Sequence, residues 1–319
     1  MNNTIQKNSF YAWILAARPK TLTGAIIPVL MGSALALLDQ KFFWIPALVC
    51  LLFAGLMQIA ANFINDLYDY LKGSDREDRL GPERACAQGW ISPYAMKWGI
   101  AITIAFAGII GCILIYYGGW NMIWIGIASI IFAFLYTICL SYYGFGDIMV
   151  IVFFGLTAVG GTYYVQALQW TIHTTLTALA CGLVIETLLI VNNYRDYEAD
   201  KKSHKKTLIV RFGKRFGEIL YLSSGWGATM LMMLMLCQTQ HGAESFGMQE
   251  PYLRIYWFTA LLPIIYLIPH YLTWKSMMAI GTGKKLNSIL GKTSRNMLLF
   301  GLLSAIGMIL DYLFPYILS

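Results

Sequence analysis

Two apolar runs of this sequence end in hard oxygen donors at helical spacing. The first end reads Asn62-Phe-Ile-Asn65-Asp66-Leu-Tyr-Asp69, the second Asn193-Tyr-Arg-Asp196-Tyr-Glu-Ala-Asp200. Residues three, four or seven apart share a helix face. Asn62, Asn65 or Asp66, and Asp69 therefore form one stripe, and Asn193, Asp196 and Asp200 another. Ionisable groups beside a bilayer are costly and mark function. Two converging groups of such oxygens suit Mg²⁺ with a phosphate between them. The cation would neutralise charge as a diphosphate leaves carbon. Asp66, Asp69, Asp196 and Asp200 are the candidate acids, and Asn62, Asn65 and Asn193 add neutral oxygens. An interfacial helix cap would explain one such cluster; two at equivalent places in two halves point instead to an intramembrane enzyme acting on a diphosphate.

The stripes continue deeper. Gln58 lies four residues before Asn62, and Glu186 seven before Asn193. Polar groups inside a membrane face a cavity or hydrogen-bond another helix; the first reading makes both acceptor-site residues. Lys20, Arg79, Arg84, Lys206 and Arg211 are candidate phosphate-gripping cations, against the alternative that loop cations only set topology. Tyr136, Tyr163 and Tyr164 lie away from the interfacial aromatic belts and have faces able to stabilise an allylic cation, or are packing residues. His173, His270 and the methionines of 230–235 are given no role.

These residues need a scaffold. Mean hydropathy is +0.60, with 58% hydrophobic and 12% charged residues, against about 25% charged in a soluble domain. Residues 98–146 and 148–185 contain no Asp, Glu, Lys or Arg. Nine transmembrane helices of about 20 residues are expected near 22–38, 43–65, 97–117, 120–140, 147–166, 172–193, 218–237, 255–274 and 296–314. Residues 9–17 are expected as an interfacial helix; Arg18-Pro19-Lys20 stands where a signal peptide would have small residues. With the N-terminus in the cytoplasm, 21 of the 23 Lys and Arg residues fall on that side, Lys41 and Arg254 excepted. The net charge of +7 follows mostly from that bias, and no nucleic-acid partner is implied. The six cysteines are scattered and form no CxxC pair, so neither a disulfide framework nor a zinc site is indicated.

The expected architecture is an all-α membrane bundle: two four-helix halves plus a ninth helix around a central cavity, one domain over 1–319. In each half the second helix ends in an acidic cluster and a basic loop follows, about 66–96 and 194–217. Such repeats place a site between the halves, with the loops as cytoplasmic caps.

Asn65-Asp66-x-x-Asp69 and Asp196-x-x-x-Asp200 resemble the two aspartate-rich motifs of the UbiA-type intramembrane prenyltransferases. The stretches Arg18-Pro-Lys-Thr21, Gln58-Ile-Ala-Ala-Asn62, Gly73-x-Asp75, Arg79-Leu-Gly-Pro82, Gly161-Thr-Tyr-Tyr-Val-Gln166 and Val191-Asn-Asn-Tyr-Arg-Asp196 resemble the subgroup acting on 1,4-dihydroxy-2-naphthoate in menaquinone synthesis. Agreement runs from about 12 to 217. Two places depart: Ile138-Cys-Leu-Ser-Tyr-Tyr143 stands where the subgroup has Gly-Gly-Pro, and His204 where it has Gly. The resemblance implies Mg²⁺, a polyprenyl diphosphate whose tail leaves sideways into the lipid bilayer, and an aromatic acid acceptor. It implies departure of diphosphate, ring attack on the allylic cation and loss of CO₂ to give demethylmenaquinone, in the cytoplasmic membrane of a bacterium.

Three alternatives compete. A sister enzyme would use 4-hydroxybenzoate, homogentisate or a chlorin-type acceptor. A cation transporter would set its acids at mid-membrane on broken helices, not at helix ends beside basic loops. A CDP-alcohol phosphotransferase would carry an Asp-Gly and Ala-Arg pattern that the sequence lacks.

Overall fold

The computed structural model describes residues 5–73, 80–240 and 252–318. Helix α1 (Phe10–Ala17) is capped by Ser9, which accepts from the Ala12 amide, and ended by Arg18 at φ 51°. A 3₁₀ turn, Pro19–Thr21, leads into α2 (Thr23–Leu38), and the pair bends by 48°. α1 buries Ala12 and Ala16 and exposes Phe10, Tyr11 and Ile14.

Five long helices follow: α3 (Trp44–Leu71), α4 (Pro93–Gly118), α5 (Asn121–Leu140), α6 (Gly146–Ala167) and α7 (Ile172–Arg195). The end of α5, Tyr136–Leu140, and the middle of α6, Ile151–Val159, wind as π-helix. Two short helices, α8 (Tyr197–Lys202) and α9 (Leu208–Phe212), make up much of the second long loop. α10 (Lys214–Met233), α11 (Trp257–Leu261), a 3₁₀ stretch Leu262–Tyr266, α12 (Leu267–Ile280) and α13 (Leu286–Leu313) complete the bundle.

Among the described residues, α3 to α7 and α13 are long and apolar enough to cross a membrane, and the bent α1–α2 pair is a seventh candidate. The chain is a multi-pass helical membrane protein. The expected spans 218–237 and 255–274 are helical but do not stand out by length and hydropathy. Lys214, Arg215 and Glu218 dilute α10, and the second is broken near Pro263 into α11 and α12.

Of the apolar stretch of α7, 67% is buried against the rest of the molecule, against 6% for α5. α7 is thus an axis and α5 a lipid-facing wall. Small residues let backbones approach closely. A Cβ on Gly155 of α6 would strike the Ala178 carbonyl of α7, and one on Gly182 would come within 2.9 Å of the Ile151 Cα. α10, α12 and α13 are joined by polar contacts: His270 Nε2 to the Leu222 carbonyl (3.3 Å), Tyr221 hydroxyl to Thr293 (3.1 Å), and Asn296 donating to Thr273 (2.9 Å).

Two features differ from expectation. The bundle carries a small antiparallel sheet, β1 (Cys237–Gln240), β2 (Tyr252–Ile255) and β3 (Tyr316–Leu318), with Cys237 opposite Ile255 and Arg254 opposite Ile317. These segments lie beyond helix ends, where Tyr, Ile and Thr favour extended chain. The second is α13, which starts ten residues before the expected 296.

Candidate active site

The two acidic clusters meet at one end of the bundle. Lys72, which follows the first, stands 4.1 Å from the centre of the Tyr142 ring. Lys205, ion-paired to Asp200 at 3.7 Å, stands 5.9 Å from the same centre. Asp69, Asp147 and Asp200 all act electrostatically on the Tyr136 hydroxyl.

Within the first cluster the roles separate. Asp66 is 1% exposed, and its oxygens accept from the Ala85 and Cys86 amides at 2.9 and 2.8 Å. It holds the turn after the first long loop, and both its oxygens are taken. Asn62 donates to the Ala17 carbonyl and the Thr21 hydroxyl, both at 2.9 Å. It fixes the Arg18–Thr21 turn and so the placement of Lys20, which is exposed. Asn65 accepts from the Thr137 hydroxyl. Asp69 is partly open and pairs with Arg84 Nη2 at 2.6 Å.

In the second cluster Asn193 is buried. Asp196 takes two short bonds from its neighbour Arg195, 2.8 Å from Nε and 2.6 Å from Nη2. Burial pushes the Asp200 carboxyl up to about 6, against the pull of Lys205. The α8–α9 elbow closes above this cluster. Its His204 adopts φ 58°, the left-handed conformation that suits glycine. Lys206 is exposed and donates its amide to the Tyr142 carbonyl at 2.8 Å. Arg211 bonds the carbonyls of Lys206 and Tyr143, bracing the elbow. Arg79 lies outside the described residues.

A cavity of about 320 Å³ rises from the clusters. Its walls are mostly apolar, and at the acidic end it meets Gln58, Asn65, Tyr136 and Thr137. Tyr136 also lines a small polar pocket with Asp147, Asn193 and Lys205. One tyrosine thus separates an apolar chamber from a charged one. Two other tyrosines sit elsewhere. Tyr163 donates to Asp39 at 2.6 Å. Its place on α6 is 16 residues past Asp147, roughly 24 Å along the helix, at the opposite end of the bundle. Tyr164 packs in an apolar cluster with Val29 and Val49. Glu186 is buried within electrostatic reach of Asp147 but does not line the cavity.

Sequence reading passed over Asp147. It is 3% exposed, and its Oδ1 is buried with no hydrogen bond, as is Asp200 Oδ2. The signal was present: Asp147 is the single Asp, Glu, Lys or Arg between residues 98 and 185. Buried anionic oxygens without partners fit a divalent cation, and every donor here is a hard oxygen. Among the described residues no three His, Cys, Asp or Glu side chains form a metal cage. Phosphate oxygens would have to complete the coordination, as Mg²⁺ prefers.

The model of the UbiA prenyltransferase family matches residues 25–280. The chain is 40% identical over 220 residues to the 1,4-dihydroxy-2-naphthoate octaprenyltransferase of Haemophilus influenzae, covering 66% of this chain and 71% of that protein. Two solved structures share the fold. One is a UbiA homolog from Aeropyrum pernix K1 (TM-score 0.64, 14% identity, 91% of this chain and 97% of that one). The other is a UbiA homolog from Archaeoglobus fulgidus bound to GPP and Mg²⁺ (TM-score 0.59, 17% identity, 93% and 99%).

Proposed function

Because the chain belongs to the UbiA prenyltransferase family, we propose that it transfers a polyprenyl group from its diphosphate to 1,4-dihydroxy-2-naphthoate. The observation that carries this reading is the junction at Tyr136. An apolar chamber fit for a prenyl tail meets, at that ring, the two acidic clusters and their cations.

In this reading Asp69, Asp196 and Asp200, with Asn65, Asn193 and the newly noted Asp147, are the oxygens that hold Mg²⁺. When bound, the ion neutralises negative charge gathering on the departing diphosphate. Asp66 and Asn62 keep the flanking turns in place. Arg84, Lys72 and Lys205 face the clusters and grip phosphate oxygens, with Lys20, Lys206 and Arg79 of the surrounding loops as further donors. The prenyl C–O bond breaks and its electron pair leaves with the diphosphate. The Tyr136 face stabilises the allylic cation by cation–π contact. The ring carbon bearing the carboxylate attacks it, and the C–C bond forms. CO₂ then departs and leaves its bonding pair to the ring. The product is the quinol form of demethylmenaquinone. Gln58, at the chamber's acidic end, lies beside the acceptor.

The proposed setting is the inner membrane of a bacterium. The chain crosses nine times as a single domain, with the N-terminus and both acidic loops in the cytoplasm, where the charged head of the substrate stays near water. α10 and the α11–α12 pair supply the two crossings that are less apolar. The identity to a naphthoate enzyme favours that acceptor over 4-hydroxybenzoate or homogentisate.

The test is direct. Purified protein with Mg²⁺ and a polyprenyl diphosphate is offered each aromatic acid separately, and products are identified by mass. A prenylated, decarboxylated naphthalenediol is expected. Preference for 4-hydroxybenzoate would reassign the acceptor, and no prenylation of any acid would end the reading.

A further inference from the structure

One contact ties the two acidic clusters together, and it comes from a helix outside both. Asn287 stands in the first turn of α13. Its Oδ1 accepts from Arg195 Nη1 at 2.9 Å, and its Nδ2 donates to the Leu80 carbonyl at 2.8 Å. Arg195 is 4% exposed and spends its other two nitrogens, Nε and Nη2, on Asp196. The Asp196 side chain is itself 28% exposed, so the buried guanidinium is what limits its rotation. On the other side, Leu80 precedes Arg84 by four residues, and Arg84 grips Asp69. A continuous path thus runs Asp196, Arg195, Asn287, the Leu80 loop, Arg84, Asp69.

We propose that Asn287 is a positioning residue. By holding Arg195 it fixes the Asp196 carboxylate, and by holding Leu80 it sets the first acidic loop at a constant distance from the second. The inference rests on the prenyltransfer reading but adds a residue that lies beyond the 25–280 family match. A buried arginine deprived of one acceptor retains two bonds to Asp196 but loses the fixed point against which they act. The functional cost therefore falls on binding of a metal-complexed diphosphate head, not on the fold. Asn287 is half-buried in a helical turn that tolerates alanine.

The experiment measures binding of inorganic pyrophosphate to the full chain in detergent at fixed Mg²⁺ by titration calorimetry. Asn287→Ala should weaken binding about tenfold while the melting temperature stays within a few degrees of the unsubstituted chain. Arg195→Lys keeps the charge but loses the fork and should weaken it similarly. On that background Asn287→Ala should add less than twofold, because both changes disable one path. Asn287→Asp keeps an acceptor for Arg195 but cannot donate to the Leu80 carbonyl, so it should fall between the unsubstituted chain and Asn287→Ala, weakening binding about threefold. The proposal is overturned if Asn287→Ala binds within twofold of normal, if its tenfold effect persists on Arg195→Lys, or if Asn287→Asp is as weak as Asn287→Ala. Absence of pyrophosphate binding by the unsubstituted chain would instead overturn the prenyltransfer reading beneath it.

Discussion

Asp69 and Asp196 hold equivalent positions, one per cluster, and each is paired with an arginine at 2.6 Å. Short ionic bonds of this kind are charge-assisted and directional. Both carboxylates keep part of their surface open, at 21% and 28%, which Asp66 does not. That difference predicts unequal mutants. Asp69→Asn or Asp196→Asn should lower prenyl transfer by at least a hundredfold with the protein still folded in membranes. Asp66→Asn should lower the melting temperature as well, because it loses charge-assisted acceptance of two buried amides. Transfer rates set beside thermal melts separate the two, and an unstable Asp69→Asn would reverse the assignment.

The aspartate spacing was legible in the sequence because helical periodicity alone puts those oxygens on one face. Which of them turns inward was not, because it depends on amides at 85 and 86 that a loop brings from elsewhere. His204 shows the opposite case. The resemblance marked it as a departure from Gly, and its φ of 58° gives the reason: the elbow needs a left-handed residue, which costs a non-glycine about 1 kcal/mol. His204→Gly should therefore raise stability by about 0.5 kcal/mol, part of the relief being offset by the entropy of glycine. A thermal melt checks it, and a lower melting temperature would mean that the imidazole makes a stabilising contact.

At the scale of elements, apolar length found most helices to within a turn or two. It failed where a helix leaves the bilayer. α13 was expected from 296, where apolar residues begin, but the helix continues back to Leu286. Ten residues at 1.5 Å each carry it about 15 Å further, far enough for Asn287 to reach the acidic loops. Hydropathy cannot see such an extension because its residues, Lys292 and Arg295 among them, are polar. Nor does a π-helical turn carry a sequence signature, yet the one at Tyr136–Leu140 sits at the site, as π-bulges tend to. Close packing of α6 on α7 was equally hidden. Gly155 of α6 meets the backbone of α7 with no room for a methyl group. Gly155→Ala should destabilise by about 1–3 kcal/mol, as overpacking does, and should lower transfer by parting the walls of the polar pocket. An unchanged melting temperature would show that the two helices can separate freely.

The molecule as a whole is less symmetric than its sequence. Two halves of similar layout supply one acidic cluster each, but the apolar chamber is lined only by residues between Gly24 and Val165. The chamber thus takes its walls from the first half and from α6, the first helix of the second, while α7 and α8 contribute the second half's acids. α7, at 67% buried, offers lipid little surface, whereas α5, at 6% buried, offers much. A long prenyl chain therefore has two routes: outward past α5 near the acidic end, or up the chamber toward Leu114, Met122 and Val165. Gly161 distinguishes them. It lines the chamber, and a Cβ built there meets nothing within 4 Å. Gly161→Leu should fold normally, since leucine suits a membrane helix, and should fill the upper chamber. Transfer from geranyl diphosphate should stay within twofold of normal, because two isoprene units end below the obstruction. Transfer from an octaprenyl diphosphate should fall at least tenfold if the tail climbs the chamber. Equal rates with both donors would place the exit low, between the end of α5 and the acidic clusters.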